Sequence, residues 1–89
     1  MDKSYIEEKT FELEDYSETA LPVADYENCR FINCNFSNSN LSKINFSECE
    51  FNGCNFSMAI LSKTAFRDIK FSNCKLMGLH FEHCNENGF

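Results

Sequence analysis

A large apolar residue returns at every fifth position through most of this chain. The series runs Ile6, Phe11, Tyr16, Leu21, Tyr26, Phe31, Phe36, Leu41, Phe46, Phe51, Phe56, Leu61, Phe66, Phe71, Leu76 and Phe81, and Glu86 breaks it. A helix repeats at about 3.6 residues and a strand at 2, so a period of five belongs to neither. In a chain that is 43% hydrophobic, so long an unbroken series is not chance.

A second phase rides with the first. Two places before each large residue, from Thr19 onward, stands a smaller one: Ala24, Cys29, Cys34, Ser39, Cys49, Cys54, Ala59, Thr64, Cys74 and Cys84, with Ile44, Ile69 and Leu79 as bulky members. The other three phases are mostly Asn, Ser, Glu, Lys and Gly. Each unit of five thus offers one large and one small inward residue and three to bend and meet water. One unit cannot bury its own face, but stacked units can, each coil covering the next at the strand spacing of about 4.8 Å. The expected core is Tyr26, Phe31, Phe36, Leu41, Phe46, Phe51, Phe56, Leu61, Phe66, Phe71, Leu76 and Phe81. Its expected small inward partners are Cys29, Cys34, Cys49, Cys54, Ala59, Cys74 and Cys84. All six cysteines share one phase, which a disulfide framework has no reason to obey. A buried packing position does, so reduced thiols acting as small hydrophobes are expected.

Units such as CNFSN (34–38) and CEFNG (49–53) carry a resemblance. The chain resembles the pentapeptide-repeat family, whose consensus is A(D/N)LXX with a central Leu or Phe, clearly over 19–85 and loosely over 6–18. The resemblance implies an all-β fold, a right-handed quadrilateral β-helix with four pentapeptides per coil and about four coils here. Residues twenty apart then stack: Phe31, Phe51 and Phe71; Phe36, Phe56 and Leu76; Leu41, Leu61 and Phe81; Tyr26, Phe46 and Phe66. Cys34, Cys54 and Cys74 form a column of thiols within disulfide range on Cα distance. Parallel side chains point the same way, however, so a filled column is expected rather than a bridge.

Residues 1–18 read as an acidic N-terminal cap or an irregular first coil, because Lys9 and Glu14 occupy the small inward phase. Residues 19–85 are the solenoid and 86–89 a tail. No amphipathic helix follows Cys84 to cover the last coil, and an uncovered coil is an unpaired sheet edge. The expectation is the N-terminal part of a longer solenoid, a deliberate truncation, or a solenoid closed by a partner. Self-association through the C-terminal coil, with Phe66, Phe71, Leu76 and Phe81, would cover it as a homodimer.

Enzyme signatures are absent: there is no GxSxG, GxxxxGK[ST], HExxH or GxGxxG. His80 and His83 face out by phase while Cys84 faces in, so they do not converge as zinc ligands. No cofactor, metal or catalytic residue is expected. Residues 1–28 carry nine acidic and two basic side chains, and residues 29–89 carry five and six. Lys43 and Lys63 stack on one face, with His83 next in the column. The Phe- and Cys-rich units resemble the family branch that imitates duplex DNA, binds DNA gyrase or topoisomerase IV, and protects against quinolones or a microcin. A DNA mimic needs ordered negative charge along its faces, and here the acid sits in the least regular part. The reading is therefore a non-catalytic scaffold for protein–protein interaction, with the topoisomerase-binding DNA mimic as the alternative. No direct nucleic-acid binding is expected. No apolar run is long enough to span a membrane and no secretory h-region precedes the repeats, so the expected location is the cytoplasm.

Overall fold

Short strands and tight corners are all that a five-residue unit leaves room for. The computed structural model describes residues 4–79, and among them every regular element is a strand. These are β1 (Ser4–Glu7), β2 (Thr10–Glu12), β3 (Ala24–Glu27), β4 (Arg30–Ile32), β5 (Asn45–Ser47), β6 (Glu50–Asn52), β7 (Ala65–Arg67) and β8 (Lys70–Ser72). They form two parallel sheets, β1-β3-β5-β7 and β2-β4-β6-β8. The register steps by twenty residues throughout: Tyr26 lies beside Phe46 and Phe46 beside Phe66, while Phe11, Phe31, Phe51 and Phe71 form one file. Two further sides are made by single bridges, Asp15–Asn35–Asn55–Lys75 and Asn40–Ile60. The fold is a four-sided β-solenoid in which about three turns separate β1 from β7. No helix among the described residues is long and apolar enough to cross a membrane.

The corners obey the same period. Positive φ recurs at Asn28, Asn33, Asn38, Lys43, Glu48, Gly53, Met58, Lys63, Asp68, Asn73 and Gly78, and earlier at Glu8 and Leu13. Asn and Gly tolerate the left-handed region, whereas most side chains pay about 1–2 kcal/mol to enter it. The corners are of two kinds. After Phe36, Leu41, Phe56 and Leu61 the chain closes a hydrogen-bonded turn, from Ser39 N to Phe36 O (3.0 Å), Ile44 N to Leu41 O (3.3 Å), Ala59 N to Phe56 O (3.0 Å) and Thr64 N to Leu61 O (3.1 Å). Positive φ at the third residue alone makes these type II turns. Asn35, Asn40 and Asn55 prepare them by accepting the amides of Ser37, Ser42 and Ser57 at 3.0 Å, the local bonding that suits Asn to turns. Neither device occurs on the strand sides among the described residues. Lys63, at φ 60°, is a non-ideal corner residue. Lys63→Asn is expected to raise stability by about 0.5–1 kcal/mol by relieving that conformation, read as a shift in urea midpoint; an unchanged or lower midpoint contradicts the strain.

Inside, the rings stack along the axis and meet edge-on across it. Centroids lie 4.7 Å apart for Phe11 and Phe31, 4.9 Å for Phe31 and Phe51, and 4.9 Å for Phe36 and Phe56. Neighbouring columns cross steeply, as in Phe31–Phe46 at 85° and Phe36–Phe51 at 78°. Offset stacking and edge-to-face contact are the two favoured ring arrangements, and the square section supplies both. Tyr26, Phe31, Phe36, Leu41, Phe46, Phe51, Phe56, Leu61 and Phe66 are buried. Phe71 is half-buried and Leu76, expected in the core, is 37% exposed. The reason is position: among the described residues no coil lies over that level. Phe81, Cys84 and the C-terminal coil contact lie outside the described residues, as do His80 and His83. At the other end the backbone of residues 4–12 pairs in full register with β3 and β4. Only the small phase is irregular there, with Lys9, Glu14 and Thr19 all exposed.

Candidate interaction surface

The small inward residues do more than fill space. Cys29, Cys34, Cys49, Cys54 and Ala59 are buried, Cys74 is half-buried, and the five described cysteines are free thiols. Each Sγ has two carbonyl oxygens within reach of its one S–H, that of the residue two before it and that of the residue 23 before it. Cys34 reaches Phe11 O at 3.4 Å, Cys49 reaches Tyr26 O at 3.4 Å, and Cys54 reaches Phe31 O at 3.2 Å. Cys74 reaches Phe51 O at 3.2 Å. Thr64 makes the same bond more strongly, from Oγ1 to Leu41 O at 2.6 Å. Cys and Thr at this position therefore add a donor to their packing role, whereas the sequence pattern suggested only a small hydrophobe. Ser39 is the exception, for its Oγ is buried without a partner. Ser39→Ala is expected to be neutral or to stabilise by about 1 kcal/mol, and Thr64→Val to destabilise by about 1 kcal/mol or more, since an unmatched buried polar group is what costs. Chemical denaturation of the two variants compares them directly; a cost for Ser39→Ala equal to that of Thr64→Val contradicts the assignment.

With the interior so filled, chemistry is left to the outside, where the twenty-residue register turns single residues into columns. The sheet β1-β3-β5-β7 presents Tyr5, Asp25, Asn45 and Ala65 in one file and Glu7, Glu27, Ser47 and Arg67 in the next. Tyr5 donates its hydroxyl to the Glu27 carboxylate, and Asn45 Nδ2 donates to Asp25 Oδ1 at 2.8 Å. A shallow depression of about 280 Å³ lies among Tyr5, Asp25, Glu27, Asn45, Ser47 and Arg67. One corner of this sheet carries the exposed file Glu8, Asn28, Glu48 and Asp68, and the other carries Lys43 and Lys63. The second sheet alternates in sign, Arg30, Glu50, Lys70, with Arg30 Nε 3.5 Å from Glu50 Oε1. That pair is solvent-exposed and contributes at most about 1 kcal/mol.

An apolar patch interrupts this polar exterior. Met58, Ile60 and Met77 are 59%, 50% and 73% exposed. Met58 and Met77 meet at one corner, where Met58 N donates to Met77 O at 3.0 Å and the Met58 side chain lies over Gly78, and Ile60 follows on the next side, bridged to Asn40. A Cβ at Gly78 would stand 2.3 Å from Met58 Sδ, so the glycine is what lets the methionine lie flat. The large-residue phase gives no signal for this patch, since all three residues fall in phases filled mostly by polar side chains. No group of three or more His, Cys, Asp or Glu suited to a metal ion occurs among the described residues.

A parallel β-solenoid with five-residue units, a ring-stacked interior and generic outward columns defines a class of repeat protein. The model of the pentapeptide repeat region matches residues 24–87, and the chain belongs to that family. Among solved structures it is similar to full-length QnrB1, a plasmid-mediated fluoroquinolone resistance protein, with 29% identity and a TM-score of 0.67 over 74% of this chain and 34% of that one. A trypsin-treated variant of QnrB1 matches at 27% identity and a TM-score of 0.53, covering 80% of this chain and 35% of that one. The chain thus spans about a third of the QnrB1 chains it matches. A search of curated proteins finds no match.

Proposed function

We propose that this chain is a non-catalytic scaffold that binds a protein partner in the cytoplasm. The observation that carries the reading is the pair of exposed methionines, Met58 and Met77, joined across successive coils on a mostly polar exterior. Exposed apolar patches rimmed by polar residues mark contact sites, and methionine adapts its shape to a partner. Among the described residues the inward thiols and Thr64 are spent on backbone carbonyls, which leaves recognition by shape as the work of the outside. Affinity capture from a lysate, comparing the natural chain with a Met58→Lys, Met77→Lys variant, tests this. A protein retained by the first and lost by the second supports the reading, and identical retained proteins overturn it.

A second reading is favoured by the likeness to QnrB1 and by the ordered acidic corner Glu8, Glu48 and Asp68 beside Glu7 and Glu27. Under it the partner is a type II topoisomerase such as DNA gyrase, engaged in place of DNA and protected from quinolones. A gyrase supercoiling assay with a fluoroquinolone, with and without the chain, decides between the two. Restored supercoiling supports the topoisomerase, and no effect leaves the scaffold with another partner. End-to-end pairing through the C-terminal coil is part of the same proposal, and light scattering at high concentration reads it as a dimer; a monomer refutes it.

A further inference from the structure

At the end of β6 one peptide unit joins an asparagine to a glycine, Asn52–Gly53. In a free chain this pair is chemically labile. The Gly53 nitrogen, with no Cβ on its own residue to shield it, attacks the Asn52 side-chain amide and closes a succinimide ring. The fold cannot dispense with the glycine. Gly53 stands at a corner with φ 69°, where glycine alone is free of strain, and a Cβ there would collide with Asn33 Oδ1. The same fold clamps the reactive peptide from both sides. The Asn52 carbonyl accepts from Asn33 N at 2.7 Å in the coil before, and Gly53 N donates to Ser72 O at 2.8 Å in the coil after. The rest of β6 is paired in register with β4 and β8. Attack on the side chain needs Gly53 N to turn away from Ser72, so these bonds must break first. Phe51, next to Asn52, is fully buried in the ring stack. Opening this peptide therefore means opening a coil that has neighbours above and below.

We propose that Asn52–Gly53 is a modification site gated by the fold, closed in the solenoid and open to isoaspartate formation whenever the chain is unfolded. In the first step the Gly53 nitrogen bonds to Asn52 Cγ and gives up its proton. The Cγ–Nδ2 bond breaks, and ammonia leaves with that proton. Water then adds to one of the two ring carbonyls. Opening at the side-chain carbonyl leaves aspartate, and opening at the main-chain carbonyl leaves isoaspartate. Nothing is oxidised or reduced. Aspartate keeps the backbone as it was. Isoaspartate routes the main chain through Cβ and lengthens it by one carbon–carbon bond, about 1.5 Å. It also turns the old Asn52 carbonyl into a free carboxylate, so Asn33 N loses its acceptor in the ladder. A register that steps by twenty residues from coil to coil has no slack for the extra atom. A chain modified in this way does not rebuild the coil. The pair thus limits how long a chain can stay unfolded and still fold.

The test ages the full chain in warm neutral buffer with a reductant, folded in one sample and held in guanidinium chloride in the other. Peptide mass spectrometry reads conversion at position 52. The sequence has a second Asn-Gly pair at 87–88, which serves as the reference in denaturant. There the two pairs should convert at similar rates. In the folded sample conversion at position 52 should be slower by about tenfold or more, because a core amide reacts only after local opening. Denaturant is then removed, and the refolded and unrefolded fractions are separated by size. Isoaspartate at position 52 should be depleted from the first and enriched in the second. Asn52→Gln keeps the pair at 87–88 but closes the ring far more slowly, and after the same ageing it should refold as a fresh chain does. Should that variant not fold, the two fractions of the natural chain still decide. Equal conversion in the folded and unfolded samples would overturn the proposal. So would isoaspartate at position 52 spread evenly between the fractions, or an aged Asn52→Gln chain that loses refolding as fast as the natural one.

Discussion

Phe51→Ala should lower the free energy of unfolding by about 3–5 kcal/mol, the range for emptying a buried Phe site. Phe51 is fully buried, stacked between Phe31 at 4.9 Å and Phe71 at 5.5 Å. It meets Phe36, Phe46, Phe56 and Phe66 edge-on at 5.0–6.5 Å. Six ring partners leave the neighbours little freedom to close a cavity. The coil-to-coil hydrogen bonds fix the backbone at the strand spacing, so collapse along the axis is blocked as well. Ser57→Ala, on the outside of the same coil, should cost under about 0.5 kcal/mol, as surface substitutions do. Equal small losses for the two would mean that the inward phase has been misassigned.

Alkali should unfold the protein, with the loss beginning near pH 9. Burial pushes the Cys49 thiol from an ordinary 9.0 up to about 11, and the Tyr16 hydroxyl from 10.0 up to about 12. Both groups are neutral when protonated, and the folded interior resists their ionisation. A folded-state value above the unfolded one gives stability that is complete below the unfolded value. For Cys49 that stability drains as pH rises from 9 through about 11, and the gap corresponds to about 3 kcal/mol. Tyr26 is raised in the same sense, chiefly by burial. Urea midpoints of the natural chain and of Cys49→Ala should differ by a constant amount below pH 9 and converge above it. A difference that stays constant to pH 11 would show that Cys49 ionises as freely in the fold as outside it.

The solenoid is legible in the sequence because its signal is a period, and periods survive any choice of particular residue. Phe31, Phe51 and Phe71 fall in one column by arithmetic alone, given four units per coil. What escapes is what a period cannot encode. Leu76 has the same phase as Phe56, yet one is exposed and the other buried, because burial depends on what lies above. The two corner types are written in Asn35, Asn40 and Asn55 rather than in the phase itself, and their signal is the Asn-x-Ser spacing. The donor role of the small phase is hidden because cysteine, alanine and isoleucine all fill it and only some of them donate. The patch of Met58, Ile60 and Met77 is invisible for the opposite reason: it departs from the pattern on the side where the pattern is silent.

The twenty-residue register sets a quantum for changes in chain length. Removing five residues would restore the apolar phase but rotate every later column by one side, bringing the leucines of Leu41 and Leu61 against rings. Removing twenty would leave each column in line with itself and cost one level of the stack. A gene drifting under selection for this fold can therefore gain or lose whole coils with little penalty, while single units act as frameshifts in space. Two relatives that differ by a coil would keep the same outward files, Glu8, Asn28, Glu48 and Asp68 among them, and differ only in reach. Length, in such a molecule, is a dial that can be turned without redesigning the surface it extends.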